Sequence, residues 1–534
     1  MKTVLCAVNS AYIHKSLALS KLSSYIKDAE SFEFTINQPK DFVYGVLLSE
    51  KAEVYCFSSY IWNISYIEQI AQRLKKALGA TIIFGGPEAG GSAKEYSKTH
   101  HYVDYVIKGE GESTLSHLLE CLENKKEPSM EGIYRKGKGK GESPKIKSLP
   151  MPYSDTELKE SAQRLIYYET SRGCFNKCAY CISAKEKCFL YDEEKVKSEI
   201  LHMATFNVPL IKLVDRSFNA NGKRSERMFS FLAGETKDTA FHIEVAPDLF
   251  TDEMLEIIKK APKGKFQFEA GIQSLNENTL KAIDRICDNK KAFRNLEKLI
   301  SFGNSHVHLD LLAGLPEENL ESFMEGFNKT YKLHPYHLDI GFLKVLKGTK
   351  IEKEAEKFKI EYDDFPPYEV IKTKDITAFE LSRIKKVHEA LDRIYNSKAF
   401  INTATYLETK FETSFSMYET LGNIIIPQMS QSALFTRLLK EFPDAEKFLI
   451  LDFMVSGEKK PPKGFNALEI PDFSKKCIGF IGEYVKEYFP HLKDMHPAQA
   501  LKKLKFYAFS CGVFVSERES NKAFEITDKI KINC

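Results

Sequence analysis

The sequence predicts an α/β chain in three parts: a doubly wound, Rossmann-like N-terminal domain, a partial (β/α)6 barrel, and a mainly helical C-terminal domain. Three observations carry this. Short apolar strands alternate with amphipathic helices over 1–125, the pattern of a parallel sheet wound on both faces. Six more strand-like segments, separated by helices, run from 163 to 350. Beyond 365 the apolar residues fall largely at helical spacing, with no internal repeat. The boundaries so read are 1–133, a linker at 134–162, 163–365 and 366–534.

In the first part, TVLCAV (3–8) reads as a strand followed by a helix over 15–28. EVYCFSS (53–59) is a second strand, and SYIEQIAQRLKKAL (64–77) has helical periodicity. TIIFGG (81–86) and YVDYVIKGEGE (102–112) supply two more strands, with a helix over 113–123. Ligands of such sheets bind beyond the carboxyl ends of the strands. The informative loops are therefore Asn9–His14, Ser58–Asn63, Gly85–Gly90 and Gly109–Glu112. Residues 134–157 are rich in Gly, Lys, Ser and Pro and read as a solvated linker or long hairpin. The barrel strands are expected at 164–171, 211–218, 240–246, 265–274, 306–316 and 337–346. Helices are expected at 378–395 and 430–440.

Composition excludes several classes. Hydrophobic residues are 43% and charged residues 28%, the balance of a globular protein rather than a disordered one. Net charge is +3, because 77 Lys and Arg nearly cancel 74 Asp and Glu, so nothing demands a nucleic-acid or membrane partner. The N-terminal apolar run is too short for a signal peptide, and no stretch is long and apolar enough to span a membrane. The expected compartment is the cytoplasm, where the 11 cysteines form no disulfide framework. Singles such as Cys6, Cys56 and Cys121 are dispersed, and the first two lie inside apolar runs, as small buried hydrophobes do.

One group of cysteines differs. YYETSRGCFNKCAYCISA sets Cys174, Cys178 and Cys181 in a C-x-x-x-C-x-x-C loop directly after the first barrel strand. Three thiolates on one short loop can ligate three irons of a [4Fe–4S] cluster and leave the fourth iron open. The competing reading is a structural zinc site with Cys188 as fourth ligand, but zinc fingers usually pair two short knuckles and no second pair lies nearby. This loop resembles the signature of the radical S-adenosylmethionine superfamily. The resemblance implies that the open iron chelates S-adenosylmethionine and that reductive cleavage releases a 5′-deoxyadenosyl radical. It further implies that Tyr180 approaches the adenine, that Asp215 and Arg216 make polar contacts to the methionine amino group from the end of the second strand, and that Glu244, Gln273, Ser274 and Gly314 complete the S-adenosylmethionine site. DLLAGLP (310–316) is similar to the family segment beside the adenine.

The first part contains FSSYIWN, IIFGGPEAG and DYVIKGEGE in that order. It resembles the cobalamin-binding domain that precedes the barrel in one large subfamily. Implied cobalamin contacts are Ser58, Ser59, Trp62, Gly85, Gly86, Gly109, Glu110, Gly111 and Glu112. The sequence departs from the D-x-H-x-x-G loop of domains in which a histidine ligates cobalt: Tyr12 stands for the Asp and Leu17 for the Gly. His14, the candidate ligand, thus lacks its carboxylate partner, and a lower cobalt face without histidine is the alternative.

The resemblance implies a cobalamin-dependent radical enzyme, most simply a methyltransferase acting on an unactivated carbon. Cyclase or rearrangement chemistry, methylthiotransferase-like modification of transfer RNA or protein, and a non-catalytic cobalamin or redox sensor are the alternatives. A methylthiotransferase would carry front-domain cysteines for a second cluster, and a sensor a DNA-binding helical pair; neither is evident. Expected partners are a small-molecule or peptide substrate and a one-electron reductant such as flavodoxin or ferredoxin. The tail resembles a helical region that accompanies a subgroup of these proteins; Tyr368, Tyr395 and Asn396 are its residues expected at the substrate pocket or in packing.

Overall fold

A computed structural model of the chain describes residues 1–530 apart from 27, 161–163, 186, 187, 237, 459, 471 and 518–521. The chain forms two compact units. One comprises Met1–Gly326, Leu333–Tyr336 and Ile340–Leu381; the other comprises Phe327–Lys332, His337–Asp339 and the chain from Ser382.

The first unit opens with β1 (Thr3–Asn9), β2 (Ala29–Thr35), β3 (Val54–Ser58), β4 (Thr81–Gly85), β5 (Tyr105–Ile107) and β6 (Ile133–Tyr134), in the sheet order β2-β1-β3-β4-β5-β6. Every pairing is parallel except β5 with β6. All of β1 is buried, as befits a strand covered on both faces. Its alternate residues serve opposite layers: Val4, Cys6 and Val8 join one apolar cluster with Val43 and Ile67, while Leu5 and Ala7 join another with Leu115 and Leu118. That division is the doubly wound architecture in side-chain terms. Helices α1 (Leu17–Tyr25), α2 (Lys40–Ser49), α3 (Ile64–Leu78), α4 (Pro87–Gly91), α5 (Ala93–Thr99) and α6 (Glu112–Glu123) fill the connections. In α3, Ile64, Ile67, Ile70, Ala71 and Leu74 form one buried stripe, and Gly79 ends the helix in a left-handed turn at φ 65°.

Sequence reading missed β2, α2 and β6. Strand β2 is an edge whose Glu30 and Ser31 are exposed, so no clean apolar run marks it. The strand expected over 102–112 is only Tyr105–Ile107. The segment read as a solvated linker or long hairpin turns back on itself, the Gly132 N–H donating to the Lys140 carbonyl at 3.0 Å, and is tied to the sheet: Ser143 donates through its backbone N and its Oγ to the Lys108 carbonyl, and the Ile146 N donates to Glu110 at 2.8 Å. Residues 161–163 of the expected linker lie outside those described.

The second sheet contains β7 (Ile166–Tyr168), β10 (Leu210–Leu213), β11 (Ala240–Val245), β12 (Phe266–Gln273), β13 (His306–Ala313) and β14 (His337–Phe342), each beside the next. All six fall within the expected segments, apart from Leu210 at the start of β10. The expected strands overshoot at their carboxyl ends, where the chain turns into loops. Between β7 and β10, a two-residue antiparallel pair, β8 (Ser171–Arg172) with β9 (Phe189–Leu190), brackets the cysteine loop. Strands β11 and β12 alternate strictly between buried and half-buried residues. The buried set (Phe241, Ile243, Phe266, Phe268, Ala270) packs in the core, and the other set carries His242, Glu244 and Glu269. A second antiparallel pair, β15 (Glu361–Tyr362) with β16 (Val370–Lys372), follows.

The second unit is mainly helical, with helices that include Ile401–Glu408, Ser414–Ile424, Gln431–Glu441, Glu446–Val455 and Phe473–Tyr488. Its buried Asp452 accepts from the Asn402 and Thr403 backbone N–H groups at 2.9 and 2.8 Å, capping the first turn of Ile401–Glu408 from another helix. Unforeseen in the sequence is a three-stranded antiparallel sheet of β17 (Leu504–Phe509), β18 (Gly512–Glu517) and β19 (Ala523–Glu525). Among the described residues no helix is long and apolar enough to cross a membrane.

Candidate functional site

The cysteine loop is strapped at both sides. The Ala179 N–H donates to the Ile283 carbonyl at 2.8 Å, and the Ala179 carbonyl accepts from Ile351 N at 2.9 Å. Gly173, at φ +89°, makes the turn out of β8 that only glycine adopts without strain. Cys178 is buried, Cys174 and Cys181 are half-buried, and all three thiols are free. Burial pushes the Cys174 thiol up, and the Cys181 and Cys178 sulfurs push it the same way. A ligated cation reverses that preference. Three thiolates on one short loop match three irons of a [4Fe–4S] cluster and leave the fourth iron open. Cys188 lies next to β9, its thiol raised by burial and by the Asp215 charge.

Arg285, which sequence reading did not single out, lies against this loop. Its Nη1 is 3.6 Å from the Cys178 sulfur and its Nη2 donates to the Gly271 carbonyl. Tyr180 is half-buried; burial raises its hydroxyl, with the Cys178 sulfur acting in the same direction and Arg285 against it.

The strand-end residues divide. Asp215 is buried, and its carboxylate accepts from Thr170 N (2.9 Å), Thr170 Oγ1 (2.7 Å) and Ser171 Oγ (2.5 Å). It ties the end of β10 to the entry of the cysteine loop and does not face open space, unlike the nucleotide contact expected of it. Arg216 is half exposed, 3.7 Å from Glu244. Burial raises the Glu244 carboxyl to about 7 against the pull of Arg216. Gln273 sits at φ +68° where the β12–β13 register shifts, and Ser274 donates to buried Glu318 at 2.6 Å. Gly314, at φ +81°, has no room for a side chain, since a Cβ would lie 2.5 Å from Val370 Cγ1.

A cavity of about 460 Å³ opens over the carboxyl ends of β3, β4 and β5, in the size range of ligand sites. Gly85, Gly86, Gly109 and Gly111 line it, together with Ser58, Glu110 and Glu112, and Cys6, Leu17, Cys56 and Leu115 add apolar surface. The glycines leave bare backbone for a large flat ligand to approach. A Cβ on Gly86, at φ +94°, would lie 2.6 Å from the Ser59 carbonyl oxygen. Glu169, Arg172 and Ile182, which flank the cysteine loop, line the same cavity. The front sheet and the cluster loop therefore share one space.

Three expected contacts are placed elsewhere. Ser59 is buried; its Oγ donates to the Gly85 carbonyl at 2.7 Å and accepts from Ala89 N at 3.0 Å, so it ties α4 to β4. Trp62 stacks on Tyr60 at 4.3 Å, and it is Tyr60 that lines the cavity. His14 Nδ1 bonds the Tyr167 hydroxyl at 2.6 Å, and His14 is not among the lining residues.

A charge network missing from the sequence reading occupies the cavity wall. Arg172 reaches Glu169 at 2.7 Å, Glu112 at 2.9 Å and Glu110 at 3.0 Å. Buried Lys21 of α1 pairs with the same Glu169. Burial lowers the Lys21 ammonium while Glu169 opposes the shift. Glu169 is three residues from Arg172, but Lys21, Glu110 and Glu112 come from distant parts of the chain. Tyr368, expected at a substrate pocket or in packing, is packed and buried, its hydroxyl donating to buried Glu88 at 2.5 Å, and Lys347 stands 3.2 Å from the same carboxylate. In the second unit, Tyr395 packs on Tyr331 at 5.1 Å and Asn396 bonds the Leu338 backbone.

Comparison with known families gives three matches in order along the chain. Residues 4–119 match the B12 binding domain, 168–329 the Radical SAM superfamily, and 356–528 a protein family of unknown function, DUF4080. A curated relative, 2-(S-pantetheinyl)-carbapenam-3-carboxylate methyltransferase of Streptantibioticus cattleyicolor, is 25% identical over 300 residues. That region is 51% of this chain and 44% of the relative, so the chain spans less than half of it. Two solved structures share the fold. The cobalamin-dependent S-adenosylmethionine radical enzyme OxsB with aqua-cobalamin aligns at TM-score 0.60 and 16% identity, over 84% of this chain and 80% of that one. The radical S-adenosylmethionine methyltransferase TsrM from Kitasatospora setae, solved with cobalamin and a [4Fe-4S] cluster, aligns at TM-score 0.56 and 13% identity, over 69% and 79%. The chain thus carries, in order, a B12 binding domain, a Radical SAM domain and a DUF4080 region.

Proposed function

We propose that this protein is a cobalamin-dependent radical S-adenosylmethionine enzyme that methylates an unactivated carbon of a small molecule or peptide, with flavodoxin or ferredoxin as electron donor. The observation that supports it most is the single cavity lined both by the glycine turns of the front sheet and by the flanks of the cysteine loop. Methyl transfer to an unactivated carbon needs the methyl carrier and the radical source to meet at one substrate, and a shared space permits that. Among the relatives named above, the curated methyltransferase and TsrM are called methyltransferases, and OxsB, a cobalamin-dependent S-adenosylmethionine radical enzyme, shares the fold.

In this reading Cys174, Cys178 and Cys181 hold a [4Fe–4S] cluster through three irons. When bound, the cluster supplies the electron that cleaves the sulfonium of S-adenosylmethionine, and the corrin carries the methyl group. The chain's own residues bind and orient. Tyr180 backs the loop, and Glu244 with Arg216 offers an acceptor and a donor at adjacent strand ends for the amino and carboxylate groups of the methionine moiety. Gly85, Gly86 and Gly109–Glu112 admit the cobalamin. Lys21, rather than a histidine, is the charged residue of the loop after β1 and its helix that lines the cavity.

The test is anaerobic reconstitution with iron, sulfide, cobalamin and S-adenosylmethionine, followed by reduction and product analysis. 5′-Deoxyadenosine together with S-adenosylhomocysteine is the expected result. Deoxyadenosine alone would redirect the proposal to a cyclase or rearrangement. Absence of both from a protein that holds its cluster and cobalamin would overturn it.

A further inference from the structure

The second unit carries a cluster of metal-ligating side chains far in sequence from the cysteines. His337 and Asp339 occupy alternate positions at the start of β14 and so point to one face. His388 and Asp392 stand four residues apart on a helix and share a face in the same way. One ligand atom each from His337, Asp339 and Asp392 lies within 4.8 Å of the others. The His388 ring bridges the two carboxylates, with Nδ1 3.8 Å from Asp339 and Nε2 3.5 Å from Asp392.

A second feature holds this arrangement in place. The helix Ala378–Leu391 passes into a π-helical turn, Asp392–Asn396, closed by the Ser397 N–H bond to the Asp392 carbonyl at 2.9 Å. Such widened turns recur at functional sites. Asn396, at the end of this turn, does two things. Its Nδ2 donates to Asp392 Oδ1 at 2.7 Å. Its amide also brackets Leu338, accepting from the Leu338 N at 3.1 Å and donating to the Leu338 carbonyl at 2.8 Å. Leu338 is the residue between His337 and Asp339. One side chain thus fixes the strand pair and orients the helix carboxylate, as outer partners of metal ligands do.

We propose that His337, Asp339 and Asp392 form a binding site for a first-row divalent cation, with His388 completing or orienting it and Asn396 as its positioning residue. Imidazole with two carboxylates, and no thiolate, suits zinc, iron(II) or manganese(II) better than copper(I) or a cluster. All four side chains belong to the second unit, and the proposal does not rest on the function proposed above. Zinc is the probe of choice because it binds N/O sites more tightly than manganese or iron(II).

The experiment uses the full chain with C174A, C178A and C181A, which removes the competing thiolates of the loop. After dialysis against zinc chloride and gel filtration, metal is counted by mass spectrometry and affinity is read by calorimetry. The expected result is one zinc per chain that is lost, or bound at least tenfold more weakly, after His337→Gln, Asp339→Asn or Asp392→Asn. Circular dichroism verifies folding, and three independent removals keep the comparison standing if one variant misfolds. A zinc-induced rise in the melting midpoint should likewise vanish in the variants. Equal zinc in parent and variants, no zinc in the parent, or binding of calcium in preference to zinc would each overturn the proposal.

Discussion

Arg285 and Cys178 are in contact: the guanidinium Nη1 stands 3.6 Å from the thiol sulfur, anchored by the Nη2 bond to the Gly271 carbonyl. The residues are 107 positions apart, so the fold alone sets a fixed positive charge beside the cysteine loop.

That charge favours the more negative, reduced state of a cluster held there. Arg285→Met should shift the cluster midpoint to more negative potential by on the order of 1–2 kcal/mol, roughly 40–90 mV for one electron. Arg285→Lys should recover part of the shift. A dye-mediated redox titration followed by electron paramagnetic resonance measures it; an unchanged midpoint in the methionine variant would show the contact to be purely structural.

Arg172 is the common counter-ion of Glu110, Glu112 and Glu169. Removing one partner from a buried network leaves uncompensated charge, so Arg172→Gln should destabilise the apo protein by about 3–5 kcal/mol. Lysine should rescue little, because one ammonium cannot reproduce the planar fork that serves three carboxylates. Urea unfolding reads the stability, and cobalamin retained through gel filtration should fall in parallel.

Gly86 is the closest approach in the front-domain turn. A methyl group there meets the Ser59 carbonyl oxygen at 2.6 Å on a backbone already at φ +94°. Gly86→Ala should cost about 1–3 kcal/mol. It should also weaken cobalamin binding, by displacing α4, while leaving iron content unchanged. Gly85→Ala is the control for strain, since a Cβ there meets nothing within 4 Å.

Burial holds Glu244 and Glu318 at about 7. A carboxyl whose folded pKa is raised binds its proton more tightly folded than unfolded. Ionising it therefore costs nothing below about pH 4, and the cost grows until the pH passes the folded value near 7. Apo-protein stability should fall from pH 5 to pH 8 on this account. Glu244→Gln should raise the unfolding free energy read from urea titration at pH 8, by about 1–2 kcal/mol after relaxation of the site, and make little difference at pH 5. Equal effects at both pH values would mean that Glu244 is ionised throughout.

The sequence alone determined the order of the parts, the doubly wound front sheet, the six barrel strands and the cysteine loop, because each is written in local periods and short spacings. Alternation of apolar residues fixes a strand wherever the chain folds, and three cysteines within eight positions share a loop whatever surrounds them. Edge strand β2, with Glu30 and Ser31 exposed, lacked that alternation, and the antiparallel sheet at 504–525 was passed over in a segment read as helical. Which polar residues face the cavity was a matter for tertiary structure. Asp215, Ser59 and His14 have the right chemistry and the right positions after their strands, yet Thr170, Gly85 and Tyr167 take up their hydrogen bonds. Lys21, Arg172 and Arg285 carry no clear local signature: apart from Glu169, three residues from Arg172, the groups they contact come from distant parts of the chain. A buried charge must find a counter-charge, and which one it finds depends on what the packed chain sets beside it.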